Sequence, residues 1–114
     1  MILGSGTDIL KEVIINWQII REKFHQIGFE TLDLKSDEQQ FLEAKGKIAR
    51  RLRPLTIKQG NPGDIHESII RFLRRMSSLY QIQQLPPHDL RAMEKECHRI
   101  YIQLNRWLGE ILVS

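Results

Sequence analysis

Cysteine is nearly absent from this chain, which has one, Cys97, in 114 residues. A single cysteine excludes an internal disulfide framework and a cysteine-built zinc site, and it fits a reducing compartment. No apolar run approaches the roughly 20 residues that a membrane-spanning helix needs. Residues 1–6 also lack the basic region and the long apolar stretch of a signal peptide. We therefore expect a cytoplasmic protein with no transmembrane segment.

Motifs of the common catalytic and cofactor-binding sites are missing as well. The sequence has no Gly-rich phosphate loop, no Ser-His-Asp set and no zinc-ligand spacing. Glu22 and His25 have the Glu-x-x-His spacing of di-iron bundles, but helical phase directs both away from the apolar side of their helix. Like His25, His66 and His98 lack the His-x-x-Lys-Gly context of phosphotransfer bundles. We expect no metal site and no cofactor.

What the chain does have is four segments whose apolar residues recur at alternating steps of three and four. This spacing keeps one side of a helix apolar, and that side, here called the seam, must be buried against a neighbour. The first seam consists of Leu10, Val13, Trp17, Ile20, Phe24 and Ile27. The second and third consist of Phe41, Ala44, Ile48, Leu52 and Leu55, and of Ile65, Ile69, Phe72, Met76 and Leu79. The fourth consists of Leu90, Met93, Cys97, Ile100, Leu104, Trp107 and Ile111.

Capping and breaking residues set the expected bounds of four helices, at residues 8–27, 37–52, 65–83 and 87–112. Ser36 and Asp64 each begin a capping pattern. Pro54 has no amide hydrogen to donate, so we expect the second helix to end near Leu52. Residues 1–114 are expected to form one domain. The short to moderate connections favour an all-α, antiparallel four-helix bundle of the up-and-down type, with a dimer of such bundles as the alternative.

Three isoleucines lie away from the seams. Ile15 and Ile19 project roughly opposite the first seam, one turn apart, and Ile102 does the same on the fourth helix. Scattered apolar residues are normal on protein surfaces, which is one interpretation. The other is a second burial surface, for a dimer contact or for a protein partner.

Charge is distributed unevenly along the chain. Residues 1–43 carry four basic and eight acidic side chains, whereas residues 44–88 carry nine basic and two acidic ones. The nine basic residues are Lys45, Lys47, Arg50, Arg51, Arg53, Lys58, Arg71, Arg74 and Arg75. Such a cluster fits nucleic acid or an anionic membrane surface. It also fits a solvated surface whose charges pair with the acidic first helix, and helical phase scatters the basic residues of the second helix around its axis.

Arg91 and His98 are seven residues apart and point to one side of the fourth helix. This Arg-x6-His pattern resembles the signature of HEPN-type helical ribonucleases, in which the pair handles the phosphate and the proton transfer. The resemblance covers two residues of the chain. The position after the arginine, usually polar in that family, is Ala92 here. The resemblance implies RNA cleavage by Arg91 and His98.

We interpret the sequence as a non-enzymatic protein–protein interaction module that binds a protein partner or a second copy of itself. Ile15, Ile19 and Ile102 would be the apolar anchors, and the basic second and third helices would select an acidic partner. A nucleic-acid-binding protein that uses the basic residues between 45 and 75 is the alternative. A HEPN-like ribonuclease is the third interpretation.

Overall fold

The computed structural model describes residues 6–29, 34–59, 64–82 and 87–113. These residues form four α-helices, with no strand among them. The helices are α1 (Gly6–Phe29), α2 (Leu34–Gln59), α3 (Ile65–Ile82) and α4 (Pro87–Val113). The predicted all-α, four-helix bundle is therefore confirmed.

Each helix packs against the next one in the chain, and α1 also packs against α4, which closes the ring. Two contacts fix the direction of α3 relative to α2. Lys45 Nζ donates a hydrogen bond to Ser77 Oγ at 3.1 Å, and the ring centroids of Phe41 and Tyr80 are 5.0 Å apart. The lower residue number on α2 pairs with the higher one on α3, so the two helices are antiparallel.

The four seams meet along the axis of the bundle and form one core. Every seam residue of α2 and α3 is at most 3 % exposed, and so are the α1 seam residues from Leu10 to Phe24. Trp17 of α1 and Phe72 of α3 meet across the core, with ring centroids 5.2 Å apart in an edge-to-face arrangement. The side chain of Ile27 lies outside those that the structure describes. In the fourth seam, Leu90 and Ile111 are half-buried, because they lie towards the ends of the bundle.

Two buried polar side chains on α1 are accommodated locally. Asn16 donates a hydrogen bond from Nδ2 to the backbone oxygen of Glu12 at 2.8 Å. Lys23 donates from Nζ to Gln26 Oε1 at 3.4 Å. Over the described residues, no buried side-chain nitrogen or oxygen lacks a hydrogen-bond partner. The core therefore carries no unsatisfied polar atom that would point to a bound ligand inside the bundle.

The prediction that the second helix ends near Leu52 is wrong, because α2 continues through Pro54 to Gln59. Leu52 and Leu55, on either side of the proline, are 0 % and 1 % exposed. Burying two leucine side chains stabilises by about 3–6 kcal/mol, whereas a proline inside a helix costs about 3 kcal/mol. Core packing therefore outweighs the local preference of proline. Residue 83, the last of the predicted third helix, lies outside the described residues.

Candidate interaction surfaces

The outer faces of α1 and α4 carry exposed apolar side chains, as the sequence predicted for two of its three isoleucines. Ile15 on α1 is 62 % exposed and Ile102 on α4 is 43 % exposed. Ile15 shares a side of α1 with Gln18 and Glu22, at steps of three and four. Those two polar residues, together with His98 of α4, line a groove of 440 Å³ between the two helices. Ile102 follows His98 by one turn, so the two isoleucines flank this α1/α4 groove.

A third exposed apolar residue, Leu112, belongs to the same region. It is 61 % exposed and lies one turn after Leu108, which packs against the core. Leu108 is in turn seven residues after Tyr101, and the Arg21 guanidinium of α1 lies 4.3 Å from the centroid of the Tyr101 ring. This side of α4 therefore faces α1. We call the surface formed by Ile15, Ile102 and Leu112 the α1/α4 face.

Ile19 does not project into solvent as predicted. It is half-buried and packs against the core. Glu12, which shares a side of α1 with Ile19, forms an ion pair with Arg51 of α2 at 3.3 Å. Since that side of α1 faces α2, the neighbouring helix covers Ile19. Helical phase gave its direction relative to its own seam but not the position of α2.

Two basic residues of α2 make contacts with neighbouring helices, and three others are exposed at the surface. Lys45 donates to Ser77 of α3 and lies over the Phe41 ring, with Nζ 6.0 Å from the centroid. Arg51 pairs with Glu12 of α1, which is the pairing with the acidic first helix that the charge distribution suggested. Three other basic residues of this helix are exposed, namely Lys47, Arg50 and Arg53. Lys58 belongs to α2, but its side chain lies outside the described ones.

The arginines of α3 line other grooves than the one between α1 and α4. Arg71 and Arg75 line a groove between α3 and α4, and Arg74 lies beside Arg71 on the outer surface of α3. In the order of the ring, α1 and α3 are diagonal partners, so their outer surfaces point in opposite directions. A single partner helix that contacts Ile15 cannot also reach Arg74. Ile15 and Arg74 therefore lie on different sides of the bundle, and the selection of an acidic partner by the basic second and third helices stays a prediction.

The α1/α4 groove also gathers polar side chains that belong to separate patterns in the sequence. Glu22 and His25 of α1 and Glu94 and His98 of α4 all line it. Among the described residues, however, no three histidine, cysteine or carboxylate side chains are placed to hold a metal ion. Arg91, the other residue of the Arg-x6-His pattern, is exposed and is not part of the groove lining. The α1/α4 groove thus holds His98 without Arg91, and the HEPN-like pair stays a prediction.

The comparisons with known proteins do not narrow the choice between these surfaces. No protein-family model, no curated protein and no solved structure matches the chain. In the helices that the structure describes, no stretch is both long and apolar enough to cross a bilayer. A functional proposal therefore has to be based on the surfaces of the bundle.

Cys97 lies beneath the α1/α4 groove and is 2 % exposed. Burial disfavours the thiolate and raises the pKa of this thiol to about 12. The thiolate is the nucleophilic form of cysteine, so a thiol with this pKa is inert at neutral pH. Cys97 acts in packing, as its position on the fourth seam predicted.

Proposed function

We propose that this protein is a non-enzymatic interaction module that binds a protein partner, or a second copy of itself, through the α1/α4 face. One observation carries the proposal. Among the described residues, the large apolar side chains that stand exposed are Ile15, Leu42, Ile102 and Leu112. Three of these four lie on α1 and α4, which pack against each other in the ring.

The physical composition of the face fits a protein interface. Apolar anchors surrounded by polar groups that exclude water are typical of the centre and rim of such surfaces. Here the polar groups are Gln18, Glu22 and His98, which lie between and beside the isoleucines. Full burial of each large apolar side chain contributes about 1.5–3 kcal/mol. Three anchors therefore offset part of the free-energy cost of association, and the polar rim has to supply the rest.

The double substitution Ile15→Asp and Ile102→Asp is expected to abolish partner capture or self-association, because two unpaired carboxylates would have to be desolvated in the interface. The free energy of unfolding should change by less than about 0.5 kcal/mol per site, as both side chains are exposed. Sedimentation velocity over a range of protein concentrations measures self-association. Capture by the tagged protein from its native lysate, with and without nuclease, measures binding to other proteins.

Leu42→Asp provides the matched control. Leu42 is 46 % exposed and lies on the outer surface of α2 beside Gly46 and Ala49, away from the α1/α4 face. The control variant should assemble and capture partners like the unmodified protein. If the Ile15 and Ile102 variant keeps its association, or if Leu42→Asp loses it equally, the α1/α4 face is not the binding surface.

Nucleic-acid binding is the second candidate, and the exposed arginines of α3 favour it. Arg74 and Arg75 are exposed, and neither makes an ion pair with any residue in the described part of the chain. Arg50, on the outer surface of the adjacent α2, is exposed as well. Neutralising phosphates with such side chains releases counterions. This surface is separate from the α1/α4 face, so the two functions are independent.

Charge reversal at Arg50 and Arg74 is expected to weaken binding to a labelled RNA or DNA oligonucleotide about three- to tenfold per site, since each change removes one phosphate contact. Affinity should also fall steeply with salt concentration, with a logarithmic slope of about −0.9 for each phosphate contacted on duplex DNA. Fluorescence anisotropy at several salt concentrations measures both. Lys95→Glu, an exposed position on α4, is the control. If Lys95→Glu weakens oligonucleotide binding equally, the effect of the other two substitutions comes from the net charge of the protein and not from a specific site.

A further inference from the structure

The groove between α3 and α4 concentrates positive charge above an apolar floor. Arg71 and Arg75 enter it from α3 and Arg99 from α4, around a volume of 360 Å³. Phe72, which is 2 % exposed, forms part of the floor. Arg71 and Arg75 are one helical turn apart, where two like charges repel each other. This repulsion disfavours the arrangement when the groove is empty, and an anion bound between the two helices would offset it.

One carboxylate lines the groove, and it is already engaged. Glu96 accepts hydrogen bonds from Arg99, one from Nε at 2.9 Å and another from Nη2. These bonds hold the pKa of Glu96 below its usual value, and the nearby charge of Arg71 adds to the effect. Glu96 thus stays ionised and neutralises one arginine of the three. The groove keeps an excess of two positive charges.

Arg99 also fixes the hydroxyl group of Ser68. Arg99 donates from Nη2 to Ser68 Oγ at 3.0 Å and from Nη1 to Gln103 Oε1 at 2.9 Å. A serine oxygen that accepts one hydrogen bond still has its own O–H to donate. Ser68 lines the groove on the same side as Arg71 and Arg75. Two guanidinium groups and one oriented hydroxyl group therefore converge on the same volume.

From this geometry we propose that the α3/α4 groove binds the phosphoryl group of a small phosphorylated molecule, through Arg71, Arg75 and the hydroxyl group of Ser68. Guanidinium groups match the oxygens of a phosphoryl group in a bidentate manner and keep their charge at any physiological pH. Arg99 is a positioning residue, because Glu96, Gln103 and Ser68 accept four hydrogen bonds from its guanidinium group. The site is distinct from the α1/α4 face and does not depend on the proposed protein interaction.

Inorganic pyrophosphate is the probe for this site, titrated at constant ionic strength into the full-length protein labelled with ¹⁵N. Saturable shifts of the Ser68, Arg71 and Arg75 amide signals are expected. Arg75→Gln should weaken the affinity at least about tenfold, the effect of removing a charge-assisted hydrogen bond. Lys11→Gln, which removes the same charge from an exposed position on α1, should leave the affinity unchanged within about twofold, since the proposed ligand does not reach it.

Ser68→Ala tests whether pyrophosphate binds at a specific site or is only attracted by the positive charge of the groove. The substitution keeps every charge but removes the hydroxyl group and the anchor of Arg99, so we expect a several-fold loss of pyrophosphate affinity. Circular dichroism melts of each variant show that the bundle is intact. The proposal is overturned if pyrophosphate gives no saturable shifts in the groove, if Lys11→Gln weakens binding as much as Arg75→Gln, or if Ser68→Ala binds like the unmodified protein.

Discussion

Replacing Trp17 with alanine is expected to lower the free energy of unfolding by about 3–5 kcal/mol. Trp17 is 0 % exposed and connects three helices. Its ring packs edge-to-face on Phe72 of α3, and its Nε1 donates a hydrogen bond to the backbone oxygen of Cys97 in α4 at 3.2 Å. The substitution removes both contacts and leaves a cavity at the centre of the core. Urea denaturation followed by circular dichroism measures the loss.

Trp17→Phe is the informative companion variant. Phenylalanine keeps an aromatic ring against Phe72 but has no N–H to donate to Cys97. We expect a smaller loss, because most of the apolar volume remains and a single hydrogen bond contributes about 0.5–1.5 kcal/mol. Gln18→Ala, at the neighbouring exposed position, should change the free energy of unfolding by less than about 0.5 kcal/mol. A loss below about 1 kcal/mol for Trp17→Ala would contradict its burial in the core.

The seams could be predicted because burial of a helix side depends on a local property, the spacing of apolar residues. Trp17 of α1, Ile48 of α2 and Ile69 of α3 were all placed on seams, and all are 0 % exposed. The same reasoning identified Ile15 and Ile102 as outward-facing residues. In each case the prediction needs only the direction in which a side chain points from the axis of its own helix, and the spacing of residues in the sequence determines that direction.

Other features required the positions of neighbouring helices, which helical phase alone does not provide. The phase of the first helix predicts that Ile19 faces solvent, but Ile19 is half-buried and packs against the core. Leu112 is exposed at the end of the fourth helix and was not singled out, although its spacing from Leu108 was visible in the sequence. The α3/α4 groove depends on the register that brings Arg99 beside Ser68, residues that are 31 positions apart. Contacts of this kind become visible only when the packing is known.

The proline in α2 is the residue at which local and tertiary preferences disagree most clearly. Pro54 has no amide hydrogen, so the carbonyl oxygen of Arg50 has no partner one turn later, and the ring crowds that oxygen. The side chain of Pro54 is exposed, so it contributes no core packing in return. The helix persists because Leu52 and Leu55 are both buried. The backbone at this position is therefore under a stress that substitution can relieve.

Pro54→Ala is accordingly expected to raise the free energy of unfolding by about 1–2 kcal/mol. Proline and alanine differ by roughly 3 kcal/mol in a helix interior, but the expected gain is smaller. Alanine leaves the unfolded chain more conformational freedom, which lowers the gain by about 0.4–1 kcal/mol. In addition, α2 has already adapted to the proline ring. Urea denaturation measures the gain, and protection of the new amide from hydrogen exchange reports its bond to Arg50. Pro54→Gly restores the same amide. Its free energy of unfolding should lie about 1 kcal/mol below that of Pro54→Ala, because glycine is more flexible than alanine in the unfolded chain. If Pro54→Ala is instead destabilising, the proline imposes a bend that α2 needs to bring both Leu52 and Leu55 into the core.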